Sequence, residues 1–280
     1  MKIHYLFILA ILFSSCAEEQ PETTPEKIVE TTPKQIVNEE IQAILDSAKL
    51  NGAVLIYDLE EDTYYSNSYK WCKDGKLPAS TFKITNSIIA LEAGIIKDDS
   101  TLLKWNGQQH RNKNWNQDLI FRDAFHFSCV PCYQDLARQI GVKKMKEYLE
   151  QLNYGNMMVD SSNLNLFWLI GDARINQFEQ IDFLKRFYQA ELPIAERTEK
   201  IMKRLMIIDQ NKEYMISGKT GMSFSAGIDN GWFVGYVEKN NKTYFFATNV
   251  EPIGEIDFNT FPNDRKEVTY KTLQLLKIID

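Results

Sequence analysis

The chain has 280 residues, 44% of them hydrophobic and 25% charged, and a net charge of -6. This is ordinary globular composition with length for one large domain or two lobes, and the acidic balance argues against a general grip on nucleic-acid phosphates. The three histidines, His4, His110 and His126, have no metal-ligand spacing, and no HExxH, Walker loop or GxGxxG occurs.

In chain order, the first segment reads as a secretory signal. Lys2 precedes the apolar run Tyr5–Phe13, which is too short to span a bilayer as a mature helix. It ends in FSSC, so residues 1–15 resemble a bacterial lipoprotein signal in which Cys16 is lipidated and becomes the first mature residue. Plain secretion with an incidental Cys16 is the other reading. Either way the expectation is an exported protein, periplasmic or lipid-anchored to the cell envelope. Residues 16–40 are rich in Glu, Thr and Pro and too poor in apolar area to offset their ordering entropy, so a flexible linker is expected before a folded body at 41–280.

Within that body, Ala53–Tyr57 reads as a strand, Glu60–Asp62 as a turn, and a return strand follows. Ile84, Ile88, Ile89 and Leu91 recur at helical spacing, with Gly94 suited to the C-cap. The middle is helical: Met145, Tyr148, Leu149 and Leu152 share one stripe, and Phe178, Ile181, Leu184 and Phe187 another. The period then changes. EYMISGKTG reads as a strand ending in glycines, and Gly231–Glu251 as two strands around Asn240–Asn241. A last helix is expected over Glu267–Ile278. Strands at both ends with helices between predict an α/β (α+β) body, one sheet built from both termini with a helical lobe inserted, and a cleft at the seam.

Two cysteines, Cys129 and Cys132, form a CVPC motif; Cys72 is the third outside the leader. One CxxC cannot complete a four-ligand metal site, so no metal is expected. A local disulfide and two small buried thiols both fit.

Ser80 and Lys83 stand three apart at the start of an apolar helix, on one face, where an amine can meet a hydroxyl and serve as its base. S-x-x-K occurs roughly once by chance in a chain of this length. Here, however, the lysine interrupts an apolar face, and other motifs follow in order. Ser128, in SCV, could relay a proton to a leaving nitrogen. Lys219, Thr220 and Gly221 end a strand whose edge could pair with an extended ligand. The Ser80 N–H lies among the unpaired donors of a helix start, which suits half of an oxyanion site.

Together these stretches resemble penicillin-recognising acyl-serine enzymes. PASTFK, SCVP, YGN, WLIG, SGKTG, GWFVGY and FPNDR, in that order over most of the body, are similar to the class D, oxacillinase-type, serine β-lactamases. The resemblance implies the penicillin-recognising serine transferase/hydrolase fold, with an antiparallel sheet flanked by helices. It implies hydrolysis of β-lactams through an acyl-enzyme on Ser80, with Lys83 N-carboxylated by CO2 or bicarbonate as general base and no other cofactor. It further implies that Trp168 donates to the carbamate, that Val130 and Leu169 keep that pocket dry, and that Ser128 protonates the β-lactam nitrogen. The N–H groups of Ser80 and Met222 would form the oxyanion hole, while Lys219, Thr220, Gly221 and Arg265 bind the substrate carboxylate. Cys129 departs from the small or apolar residue usual after that serine; simple packing and a disulfide to Cys132 that stiffens the Ser128 loop both fit. Ile170 stands where the family more often has an acidic residue. The competing readings are a β-lactam sensor domain that acylates without turnover, and a cell-wall transpeptidase. Those sensors carry membrane spans and a zinc-protease region not seen here, and YGN and WLIG argue against the transpeptidase.

Overall fold

The computed structural model describes residues 32–225 and 228–280. The signal segment 1–15, Cys16 and the first part of the expected linker lie outside the described residues. The chain runs through β1 (Lys34–Val37), α1 (Glu39–Ser47), β2 (Leu50–Asp58), β3 (Thr63–Ser66) and the short α2 (Tyr69–Cys72). A 3-10 turn at Ala79–Phe82 leads into α3 (Lys83–Glu92), then β4 (Leu102–Leu103), β5 (Leu119–Ile120), α4 (Phe121–His126) and α5 (Val130–Leu152). After these come α6 (Gln177–Tyr188), α7 (Glu196–Leu205), β6 (Ile207–Gln210), β7 (Tyr214–Ser225), β8 (Ile228–Lys239), β9 (Lys242–Pro252) and α8 (Phe261–Leu275).

One seven-stranded sheet has the order β1-β3-β2-β9-β8-β7-β6, so strands from both ends of the chain meet at the β2–β9 pair. The central strands alternate between two apolar layers, as a pleated strand buried on both faces must. Ala53, Leu55, Trp232, Val234, Tyr236, Phe245 and Ala247 join the core under the helical lobe. Their neighbours Val54, Ile56, Phe233, Val237, Phe246 and Val250 join a second core with Ile41 and Leu45 of α1 and Val268 and Leu273 of α8. Helix α3 sits inside the first core, buried from Lys83 through Leu91. A helix buried on nearly every side belongs in the middle of a body, and this one carries Lys83 there along with Thr85, Asn86 and Ser87.

Four expectations are corrected. The linker does not reach Glu40: Lys34–Val37 pairs with β3, and α1 begins at Glu39 behind the Asn38 cap. Composition hid this strand because it is an edge strand exposed along most of its length. The sheet is mixed rather than antiparallel, because β1 runs parallel to β3. Lys219–Gly221 lies in the middle of β7, not at its end, since the ladder with β8 continues to Ser225. The last helix starts at Phe261, with Pro262 in its first turn, so Arg265 is inside it. The Asn240–Asn241 turn between β8 and β9 has φ 52° and 61°, the left-handed pair a two-residue hairpin needs.

Cys129 and Cys132 form a disulfide. Cys72 is a buried free thiol, 3.3 Å from the Ser66 hydroxyl, and burial pushes its pKa up to about 12.

Gly218 and Gly235 face each other across β7 and β8. A Cβ on Gly235 would overlap the Ser217 carbonyl oxygen and stand 2.7 Å from Cζ of Phe246. Gly235→Ala should therefore destabilise the fold by about 2 kcal/mol or more, read as a lower urea midpoint. An unchanged midpoint would contradict this packing.

Candidate active site

The backbone around Ser80 is tied on both sides. Ala79, at φ 51°, donates its N–H to the Trp168 carbonyl at 2.8 Å. The Leu77 carbonyl accepts from Asn230 Nδ2 at 2.9 Å and from Trp232 Nε1 at 2.8 Å. The Thr81 hydroxyl donates to the Pro78 carbonyl at 2.6 Å and accepts from Gln180 Nε2 at 3.0 Å. The nucleophile candidate thus projects from a fixed turn.

Lys83 Nζ lies 3.0 Å from Ser80 Oγ. The residue is 1% exposed, and burial lowers its pKa to about 7. Its amine stands 5.0 Å from the Tyr133 ring centre. Trp168 is fully buried and stacks on Phe82, the residue before Lys83, at 5.4 Å. Its indole Nε1 is buried with no hydrogen-bond partner among the described residues, an arrangement that costs free energy where the N–H meets no acceptor. Val130 and Leu169 are half-buried, and Ile170 is exposed.

A second pair faces the first. Ser128 sits between α4 and α5 at φ 53°, and its Oγ accepts from Lys219 Nζ at 2.9 Å. Lys219 also donates to the Thr220 carbonyl at 3.1 Å. Burial first, then the positive charges of Lys83 and Arg265, hold its amine well below the ordinary lysine value. A Cβ on Gly221 would come within 3.2 Å of the Ser80 nitrogen and 3.0 Å of the Pro78 carbonyl, so only glycine lets β7 approach the Ser80 turn this closely. Met222 follows on the same strand. Arg265 is buried rather than a surface charge: its guanidinium donates to the Gly221 carbonyl, its Nε has no partner among the described residues, and burial lowers its pKa to about 10. The β6–β7 ladder ends at Ser217, with one more bond from the Gly218 N–H to the Met206 carbonyl at 2.8 Å, and among the described residues the β7 edge beside Lys219 and Thr220 has no strand partner.

Residues 33–258 match the penicillin binding protein transpeptidase domain family. The chain is 40% identical over 203 residues to β-lactamase OXA-48 of Klebsiella pneumoniae, covering 72% of this chain and 76% of that protein. The crystal structure of a class D β-lactamase from Sebaldella termitidis superposes with a TM-score of 0.84 at 36% identity, covering 88% of this chain and 99% of that one. The class D β-lactamase YbXI from Nostoc gives a TM-score of 0.82 at 39% identity, covering 86% and 99%. The chain belongs to the class D β-lactamase family.

Within this class D fold, the motifs legible in the sequence converge as two lysine–serine pairs. What sequence reasoning missed is the support beneath them. Trp71 Nε1 donates to Asn249 at 3.0 Å, Asn249 donates to Asn230, and Asn230 reaches the Leu77 carbonyl. The signal was two asparagines in strands otherwise apolar on both faces. Trp232 is fully buried and donates to the Leu77 carbonyl, because β8 is interior to the sheet. Trp105 and Trp115 line a separate cavity of about 460 Å³ that neither Ser80 nor Lys219 borders.

The lowered pKa of Lys83 has a consequence for stability. Below about 7 the amine is charged folded and unfolded, and burying the cation opposes folding in full. Between about 7 and the ordinary 10.5, the unfolded chain holds a proton that the fold releases, so stability rises with pH. In CO2-free buffer, Lys83→Met should therefore be more stable than the parent chain near neutrality, and the gap should narrow as pH rises towards 10.5. Urea midpoints across that range give the test; a gap independent of pH would mean the amine is not desolvated.

Proposed function

We propose that the chain hydrolyses the β-lactam amide of penicillin-type antibiotics through an acyl-enzyme on Ser80. The observation that carries the reading is the buried Lys83 amine at 3.0 Å from the Ser80 hydroxyl. With its pKa lowered to about 7, a large share of the amine is neutral at pH 7 and can accept the hydroxyl proton as Ser80 attacks the lactam carbonyl. The carbonyl oxygen gains negative charge beside the backbone N–H groups of Ser80 and Met222. Ser128, held by Lys219, delivers a proton to the departing ring nitrogen. Lys219, Thr220 and Arg265 bind the carboxylate that penicillin-type rings carry. Arginine suits that task because its fork retains donors beyond the one given to Gly221.

Deacylation calls for a base that a simple amine supplies poorly, and the residues fit N-carboxylation of Lys83. A neutral buried amine can take up CO2, and the unpartnered Trp168 indole N–H offers the product a donor in otherwise apolar surroundings. Carried on Lys83, the carboxyl group supplies the base that activates water. Val130 and Leu169 shield the pocket, and Trp168 orients what it holds.

The test is turnover of a penicillin with and without bicarbonate, alongside carbon-13 NMR after labelled bicarbonate. We expect multiple turnover, a bicarbonate-dependent gain, and a carbonyl resonance missing from Lys83→Ala. That variant should acylate slowly or not at all, with kcat down by about a hundredfold or more. A single stoichiometric burst would instead make the protein a β-lactam-binding module, and turnover without a labelled adduct would remove the carboxylated base. Trp168→Ala should acylate and then deacylate slowly, with bicarbonate restoring part of the rate; unchanged steady-state kinetics would take Trp168 out of the mechanism.

The leader supports export, with lipidation at Cys16. Mass spectrometry of the chain from its native host should show a diacylglyceryl adduct on that residue; an unmodified or secreted product would leave plain secretion.

A further inference from the structure

We infer that the Cys129–Cys132 disulfide is a brace that holds Ser128 in its proton-delivering position, and that its reduction slows acylation of Ser80. The inference rests on the role proposed for Ser128 above. Ser128 immediately precedes Cys129 and adopts φ 53°, which a non-glycine residue keeps only where its surroundings enforce it. On its N-terminal side two bonds anchor it to α4: Ser128 N–H to the Phe125 carbonyl at 3.1 Å, and Cys129 N–H to the Ala124 carbonyl at 2.9 Å. On its C-terminal side the anchor is the disulfide, which joins Cys129, the N-cap of α5, to Cys132 in the first turn, with Cα atoms 5.4 Å apart. The Cys132 N–H also donates to Cys129 Sγ at 3.3 Å. Opening the disulfide removes a covalent constraint one residue from Ser128. The hydroxyl is then held in line by its bond to Lys219, the α4 anchors and the Tyr133 N–H bond to the Cys129 carbonyl at 3.2 Å, with no covalent tie across the turn.

The bond is reachable by a reductant from outside the catalytic cleft. Cys129 is fully buried, whereas Cys132 is half-buried and lines the 460 Å³ cavity that Ser80 and Lys219 do not border. A dithiol is the reductant class that fits. Its thiolate attacks Cys132 Sγ, a mixed disulfide forms, the Cys129–Cys132 bond breaks, and the electron pair leaves on Cys129 Sγ. That sulfur sits at the α5 N-terminus, where the Cys132 N–H donates to it. The second thiol of the reagent then displaces Cys132. The protein gains two electrons and, once both sulfurs are protonated, two protons, and the reagent leaves as a cyclic disulfide.

The purified full chain is compared before and after dithiothreitol, with alkylation mass spectrometry to count thiols and rapid-mixing kinetics on a chromogenic cephalosporin. Two further alkylated thiols, at Cys129 and Cys132, are expected. The acylation rate should fall by about tenfold, because small misplacements of a reacting group carry large rate penalties, while deacylation is unchanged. Ser128→Ala should be slow from the start and insensitive to the reductant, which a general loosening of the fold would not produce. Cys129→Ala/Cys132→Val should acylate at the reduced chain's rate and ignore dithiothreitol; should that variant fail to fold, the reduction of the native chain decides alone. The brace is overturned if reduced and oxidised chains acylate equally, if reduction slows Ser128→Ala as well, or if no thiols appear under native conditions. An oxidised chain that never turns over the cephalosporin would instead overturn the proposed function, and the brace with it.

Discussion

The amine of Lys83 lies beside the Ser80 hydroxyl with almost no surface in water. A cation in that position is costly, so burial brings the pKa to about 7 and suits a residue ordinarily protonated at neutral pH to the base role proposed for it. Desolvation produces the shift. Everything that keeps water from α3 therefore acts on the chemistry: the sheet beneath it, α5 beside it, and the Tyr133, Phe82 and Trp168 rings around it. Stability is given up at this one helix in exchange for reactivity, the usual relation between buried polar groups and function.

The sheet contributes more than a floor. Because its central strands are apolar on both faces, they are locked between two layers, and β7 inherits that rigidity while one of its edges has no strand partner past Ser217 among the described residues. Gly221 lets this strand press against the Ser80 turn, and Arg265 of α8 fastens the same residue from behind. The chain's two ends, which build the sheet, thus set the position of Ser80, the proposed nucleophile, at the edge of the inserted lobe.

The chemistry-bearing motifs were readable because their residue types are costly to place by accident: a lysine within an apolar helix face, glycines in a strand, a tryptophan in a distinctive context. The hairpins and amphipathic helices were readable from period. The rest was not local. The Trp71–Asn249–Asn230 chain links residues far apart in sequence, and nothing in their neighbourhoods marks the Leu77 carbonyl as their target. The edge strand at Lys34–Val37 escaped because an exposed edge need not be apolar; its pairing with β3 is set by tertiary contact. CVPC left oxidised and reduced states open because the geometry of a helix start, not composition, brings the two sulfurs together.

The fate of the third thiol in the folded body follows from where it is stored. Cys72 lies in the core against Ser66, and its raised pKa leaves almost no thiolate to attack another sulfur. Cys129 and Cys132 are three residues apart, so they can find each other within a single turn, before distant parts of the chain have met. In an oxidising medium the short loop is therefore the favoured one to close, and burial in the folded core keeps the odd cysteine out of exchange.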